Sequence, residues 1–121
     1  MSRTLRRADL RAVGEVRAAL RELLRHWGRP ESTDVAELLA TELVTNALVH
    51  TDQGAEVTAT LAAARLRVEV RDHTAKHPRS LVPAADDGTS GRGLLLVQAL
   101  ADDWGVSLQG AGKVVWFELD G

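Results

Sequence analysis

The chain has 121 residues, no cysteine and a formal net charge of −2, which suits one domain and excludes a disulfide framework or thiolate metal ligands. No proline-, glycine- and serine-rich linker divides it, and no apolar run approaches the roughly 20 residues that span a bilayer. We therefore expect a single domain over residues 1–121, in the cytoplasm and without membrane contact.

The first part of the chain predicts a short strand and then two helices. Residues 3–6 favour a strand, and residues 9–27 favour a helix that glycine and proline terminate. The second helix begins near residues 32–34 with a capping-box-like start, and it ends at the polar run 51–54.

The first helix is rich in arginine. Eight of the fifteen basic residues are arginines within the first 29 positions, and such a skew is one signature of a nucleic-acid surface. The arginines of this helix alternate with Glu15 and Glu22, however, and mixed charges are usual on the solvated face of an amphipathic helix. We favour the solvated face and expect no direct contact with nucleic acid. A nucleic-acid surface is kept as the alternative.

The second helix carries polar residues at four-residue spacing among apolar ones. Because each step of four advances only about 40° around a helix, Glu42, Asn46 and His50 form one polar stripe. Burying an unpaired polar group costs several kcal/mol, so we expect this stripe to face a polar cavity. The alternative is that Glu42 and Asn46 form a buried pair without chemistry. The sector predicted to face outward contains Asp34, Glu37, Thr41 and Thr45.

Two strands, over residues 56–61 and 66–72, are predicted to form a hairpin. Leucine and valine alternate with charged residues in the second of them, as a sheet with one dry face requires. Asp72 ends this strand, and its simplest interpretation is that of a turn-forming residue.

The following segment predicts a lid. Residues 73–90 are too many for an ordinary connection, whose median length is about 4 to 6 residues, and we expect a lid over about 73–91. His73 and His77 lie in this segment four residues apart, but without a third ligand a surface pair is the better interpretation than a metal site.

The last part predicts a helix and a second hairpin. Gly91-Arg92-Gly93 precedes a helix over residues 94–103, and strands over 104–108 and 113–119 flank a hairpin turn at 109–112. The order of elements predicts an α/β (α+β) two-layer sandwich, with helices on one face of a mixed, mostly antiparallel sheet.

Several of these residues have chemistry that suits a nucleotide. Gly91 and Gly93 allow a ligand close to the backbone, and the helix start after them offers free amides for phosphate, although such a pair is also found in plain tight turns. The amide oxygen of Asn46 suits Mg²⁺. Glu42, one turn away, is a candidate general base.

Four motifs in this order resemble the ATPase domain of the GHKL superfamily. They are Glu42-x-x-x-Asn46-x-x-x-His50, Val70-Arg71-Asp72, Gly91-Arg92-Gly93-Leu94 and the strand from Gly112 to Leu119. Within the superfamily, the chain most resembles the branch of anti-sigma factors that are serine kinases. The resemblance implies the Bergerat fold, with ATP held between the helix that carries Asn46 and the lid.

The resemblance also implies roles for single residues. Asn46 would coordinate Mg²⁺ at the ATP phosphates, Asp72 would accept a hydrogen bond from the exocyclic amine of adenine, and Glu42 would take the proton of an attacking serine hydroxyl. The residues implied to line the phosphates are Gly91, Arg92, Gly93 and Leu94.

The function implied is that of an ATP- and Mg²⁺-dependent protein-serine/threonine kinase and anti-sigma factor. It would phosphorylate a STAS-domain anti-anti-sigma protein, sequester a sigma factor and form a homodimer. Two departures support an alternative, a catalytically inactive or weakly ATP-binding regulatory module that acts by protein–protein contact. The glycines usual in the superfamily after the acid are missing after Asp72, and we take Val114 as the counterpart of a threonine in the last motif.

Overall fold

Three helices and five strands make up the part of the chain that the computed structural model describes, namely residues 1–5, 11–49, 54–72, 88–109 and 112–121. In chain order they are β1 (Ser2–Leu5), α1 (Arg11–Leu23), α2 (Pro30–Val49), β2 (Ala55–Ala62), β3 (Arg65–Asp72), α3 (Gly88–Leu100), β4 (Asp103–Gln109) and β5 (Gly112–Asp120). No helix among these residues is long and apolar enough to cross a bilayer.

The strands form one sheet in the order β1-β2-β3-β5-β4, and every neighbouring pair is antiparallel. The prediction of helices layered on a mostly antiparallel sheet is therefore confirmed. The register defines two ends of the sheet. Asp72 pairs with Ala55 and Lys113 at one end, and Arg65 pairs with Ala62 and Asp120 at the other.

The core lies between the helices and one face of the sheet. Leu66, Val68 and Val70 are buried, as the alternation in β3 predicts, and Val68 pairs with the fully buried Phe117. Full burial of such a side chain stabilises the fold by about 1.5 to 3 kcal/mol. The helices contribute Val16, Leu20, Leu39, Val44, Leu48 and Val97, and Leu24 is added from the turn after α1.

Helix α2 runs from one end of the sheet to the other. Just before it, Trp27 donates a hydrogen bond of 2.7 Å from Nε1 to the carbonyl oxygen of Ala64. Gly28 has φ +55°, and a Cβ there would come within 2.6 Å of the carbonyl carbon of Gly121. These contacts place the start of α2 at the Arg65 end. Its last residue is only six positions before Ala55, so α2 ends at the Asp72 end.

Helix α3 runs in the opposite direction beside α2, with which it is in contact. Its carboxyl-terminal end is near the Arg65 end of the sheet, because the N–H of Asp102 donates to the carbonyl of Glu118 over 2.9 Å. The amino-terminal half of α3 therefore lies toward the Asp72 end.

The predicted start of the third helix was wrong. The helix begins at Gly88, six residues before Leu94, and ends at Leu100 instead of residue 103. Glycine disfavours a helix interior by only about 1 kcal/mol relative to alanine, so Gly91 and Gly93 are tolerated inside it. Asp103 belongs to β4, where it pairs with Glu118. Residues 73–87, most of the predicted lid, lie outside the described residues, as do His73 and His77.

The predicted outward position of Glu37 was also wrong. Only 7% of this residue is exposed, because α1 packs against that flank of α2. Arg17 Nε donates to Glu37 Oε1 over 2.8 Å, and Arg21 Nε lies 2.6 Å from Oε2. Burial alone would raise the pKa of Glu37, but the hydrogen bonds and charges of the two arginines outweigh it and lower that pKa. The residue that does face solvent nearby is Leu38, which is 41% exposed.

Candidate functional site

Two of the predicted site residues, Asn46 and Asp72, lie toward the same end of the sheet. Asp72 ends β3 there, α2 reaches this end with Asn46 in its last turns, and the amino-terminal half of α3 is directed toward it. Asp72 follows Asn46 by 26 positions, and Gly91 follows Asp72 by 19 positions. It is the antiparallel course of α2 and α3 that brings them to one end.

Asp72 is a buried strand residue and not an exposed turn residue. It is 4% exposed, on the same face of β3 as Val70 and Val68. A buried carboxylate requires a partner, because an unpaired buried charge is costly. Lys113 provides one, with Nζ 2.7 Å from Oδ2. The pair places a fixed negative group at the end of the core.

Lys113 is the site residue that the sequence interpretation missed. The sequence predicted that Lys113 begins the last strand but assigned it no role in the site. In the structure Lys113 is the second residue of β5, and residues 110 and 111 lie outside the described part. The signal that would have identified Lys113 is the two-residue period of a strand, in which alternate side chains lie on one face. Counting back from Phe117 puts Lys113 on the inner face, and counting on from Val70 puts Asp72 there too.

Asn46 has an unsatisfied side-chain oxygen. The residue is half-buried, its Oδ1 atom is buried, and Oδ1 has no hydrogen-bond partner among the residues described. An unmade hydrogen bond to a buried acceptor costs about 1 to 3 kcal/mol. The carboxylate of Glu42 is no donor, so the alternative of a mutually satisfied pair does not account for Oδ1. Asn46 thus offers an acceptor that suits a hard cation or a donor on a ligand.

Glu42 lies one turn before Asn46 on the same flank of α2 and is half-buried. This flank is opposite to the one that α1 covers, since nine residues, or about 180° of helix, separate Glu37 from Asn46. Glu42 therefore lies on the same flank of α2 as Asn46, and its role in the site stays a prediction. The third member of the stripe, His50, lies outside the described residues.

The glycine motif is in the first two turns of α3 and not before the helix. Gly91 is the fourth residue of α3, and its N–H is among the first four that lack an intrahelical acceptor. Gly93 and Leu94 follow within the hydrogen-bonded part, and Leu94 is half-buried. The free amides of this helix therefore belong to residues 88–91, and phosphate lining by Gly91, Arg92, Gly93 and Leu94 stays a prediction.

The described residues do not form a metal site made of protein side chains alone. Among the residues that the structure describes, no three histidine or acidic side chains are grouped closely enough to hold a metal ion. The oxygen ligands that the described residues offer at this end are the amide oxygen of Asn46 and carboxylates. It fits a magnesium ion that is held largely by ligand phosphates and water.

Comparisons with known proteins give the family of the chain and solved structures that share its fold. The profile of a family described as the histidine kinase-like ATPase domain matches residues 6–119. No curated protein matches the sequence.

Solved structures resemble the chain over most of its length. The SiaB–SiaC complex from Pseudomonas aeruginosa contains a chain that superposes with a TM-score of 0.79 and 13% identity, covering 98% of this chain and 88% of that one. The RsbU and RsbW domains of a Mycobacterium tuberculosis protein give a TM-score of 0.72 and 26% identity, covering 99% of this chain and 32% of that one. A histidine kinase domain from Erythrobacter litoralis gives 0.60 and 23%, covering 91% and 63%.

Proposed function

The chain belongs to the histidine kinase-like ATPase domain family, and from this membership we propose that it is an ATP- and Mg²⁺-dependent protein-serine kinase that acts as an anti-sigma factor. The membership agrees with the GHKL resemblance of the sequence motifs. The observation that carries the proposal is the unsatisfied Oδ1 of Asn46 at the same end of the sheet as the buried carboxylate of Asp72.

Each side chain has a task in this proposal. Asn46 Oδ1 would hold Mg²⁺, and Asp72 would accept a hydrogen bond from the exocyclic amine of adenine. Glu42 would orient the serine hydroxyl of the acceptor and take its proton. Bound Mg·ATP supplies the phosphoryl group and the positive charge that phosphoryl transfer requires, so the protein contributes mainly positioning. The phosphates would lie against Gly91, Arg92, Gly93 and Leu94.

The proposed partners follow from the same branch of the family. The acceptor is a STAS-domain anti-anti-sigma protein, the sequestered protein is a sigma factor, and the kinase is a cytoplasmic homodimer. The structural likeness to a chain in the SiaB–SiaC complex and to the RsbU and RsbW domains supports a regulatory role of this kind.

A transfer assay tests the proposal. The purified protein is incubated with labelled ATP, Mg²⁺ and candidate STAS-domain proteins, and labelled serine is identified. Glu42→Ala should abolish transfer while ATP still binds. Glu31→Ala removes an exposed acid in the first turn of the same helix and should leave transfer unchanged. Transfer that survives Glu42→Ala excludes Glu42 as the base.

A second candidate function is a regulatory module that acts by contact without catalysis. It is favoured by the missing glycines after Asp72 and by the ion pair that engages the Asp72 carboxylate. Calorimetry that detects no Mg·ATP binding at millimolar nucleotide, together with retained partner binding, would establish this function and exclude the kinase.

A further inference from the structure

The proposed function leaves the amino group of Lys113 without a role. Lysine usually keeps its ammonium in water. The Lys113 side chain is only 19% exposed, and its Nζ contacts a carboxylate whose side chain is 6% exposed. A donor and an acceptor therefore stand side by side where the base of a nucleotide is expected to be recognised.

A carboxylate and an ammonium form hydrogen bonds with different atoms of a nucleotide base. A carboxylate is acceptor-only, and an ammonium is donor-only. Adenine presents a donor, its 6-amino group, beside the acceptor N1. A 6-oxo purine such as hypoxanthine presents the reverse, the acceptor O6 beside the donor N1–H. A lone carboxylate can pair with the 6-amino group but repels O6. An adjacent carboxylate and ammonium can pair with either edge, in opposite order.

We propose that Lys113 and Asp72 together read the Watson–Crick edge of a purine nucleotide, and that Lys113 makes the pocket accept 6-oxo purine nucleotides alongside adenine nucleotides. The inference rests on the proposed nucleotide-binding function. With adenine, Asp72 accepts from the 6-amino group while Lys113 stays paired with Asp72. With hypoxanthine, Lys113 donates to O6 and Asp72 accepts from N1–H.

Two ligands that differ only at this edge provide the test. The dissociation constants of Mg·ADP and Mg·IDP are measured by calorimetry for the wild type and for Lys113→Met, which keeps the length of the side chain but removes the donor. We expect the wild-type value for IDP to be within about tenfold of that for ADP. In Lys113→Met the IDP-to-ADP ratio should rise by about tenfold or more, the size expected for losing one good contact to a base edge.

A matched control separates this effect from a change in net charge. Arg71→Met removes a positive charge one position from Asp72, from a residue that is exposed on the opposite face of β3. It should leave the IDP-to-ADP ratio unchanged. Thermal melting of each variant shows whether it is folded.

The possible results of the calorimetry separate a failure of this inference from a failure of the proposed function. If Lys113→Met weakens both ligands equally, or leaves the ratio unchanged, Lys113 is a structural partner of Asp72 and the inference is overturned. A wild type that binds ADP but rejects IDP more than about a hundredfold overturns it as well, since two edge contacts would then discriminate. A wild type that binds neither ligand overturns the proposed function itself, and this inference with it.

Discussion

Trp116 lies over Gly105, its partner across the β4–β5 ladder, and occupies the space that any larger residue there would need. A Cβ built on Gly105 would come within 2.6 Å of Trp116 Nε1 and 2.7 Å of two ring carbons. On the same outer face of the sheet, the Arg67 guanidinium stands 4.1 Å from the centre of the indole. This cation–π contact favours the observed position of the ring.

Gly105→Ala should therefore destabilise the protein. We expect a loss of about 1 to 3 kcal/mol in the free energy of unfolding, the usual cost of forcing extra volume into a packed contact. Urea denaturation measures it. Gly14→Ala is the control, because Gly14 is in α1 and a Cβ there meets nothing within 4 Å. This variant should gain about 0.5 to 1 kcal/mol from helix propensity. Equal effects of both variants would contradict the contact.

Glu37→Gln should reveal a pH-dependent contribution from the clamp formed by Arg17 and Arg21. A folded-state pKa below the usual value means that the charged form stabilises the fold above the unfolded-state pKa, and that this stability is lost as the pH falls through the folded-state pKa. We expect the variant to be less stable by about 1 to 3 kcal/mol at pH 7, since it removes the charge from a buried carboxylate that two half-exposed arginines bind.

The measurement is the free energy of unfolding of both proteins between pH 7 and pH 3. The difference between them should shrink as the pH falls below the usual pKa of 4.5, because Glu37 is then protonated first in the unfolded wild type and, at lower pH, in the folded one. Glu31→Gln, at an exposed position, should show no such trend. A difference that stays constant with pH would mean that packing, not charge, accounts for the loss.

Ala64→Gly should stabilise the protein. Ala63 and Ala64 connect β2 and β3 with φ angles of +50° and +64°, and this left-handed region costs a non-glycine residue roughly 1 to 2 kcal/mol. Part of that gain is offset by the greater freedom of glycine in the unfolded chain, so we expect about 0.5 to 1 kcal/mol.

Thermal melting checks this expectation, and the backbone carbonyl of residue 64 still accepts the hydrogen bond from Trp27. Ala62→Gly, in the adjoining strand, is the control and should destabilise. Destabilisation by both substitutions would show that the turn is not strained.

Asn46→Leu should raise stability and abolish ligand stabilisation. Replacing the buried, unsatisfied Oδ1 removes a cost of about 1 kcal/mol from the ligand-free protein. The variant should melt at a higher temperature than the wild type, and Mg·ADP should no longer raise that temperature. Thr45→Ala, at the preceding half-buried position, should keep the response to Mg·ADP. An unchanged response in Asn46→Leu would remove Asn46 from the proposed site.

The features of the fold that could be predicted from the sequence are those that depend only on residues close together in the chain. The alternation in β3 predicted Val68 and Val70 in the core, because a strand has two faces and only one was apolar. The orientation of Glu37 was not predictable in the same way. A helical projection separates polar from apolar residues, but it does not show that two arginines of another helix will cover a polar one.

The prediction of the site was limited in the same way to relationships between residues close together in the chain. Asn46 and Glu42 were placed correctly on one flank of α2 from their spacing alone. Lys113 was not found, because its contact with Asp72 depends on the register between strands 41 residues apart in sequence. The start of α3 was misplaced because Gly91 and Gly93 were taken to terminate a turn.

The course of α2 has a consequence for protein engineering. At one end of the sheet lie Trp27, Gly28 and Ala64. At the other end lie Asn46 and Asp72. The two ends are separated by roughly the 26 Å length of an eight-residue strand. Free-energy changes at sites so far apart usually add. A stabilising background such as Ala64→Gly can therefore be combined with site substitutions, so that variants too unstable to purify alone become measurable without altering the chemistry under test.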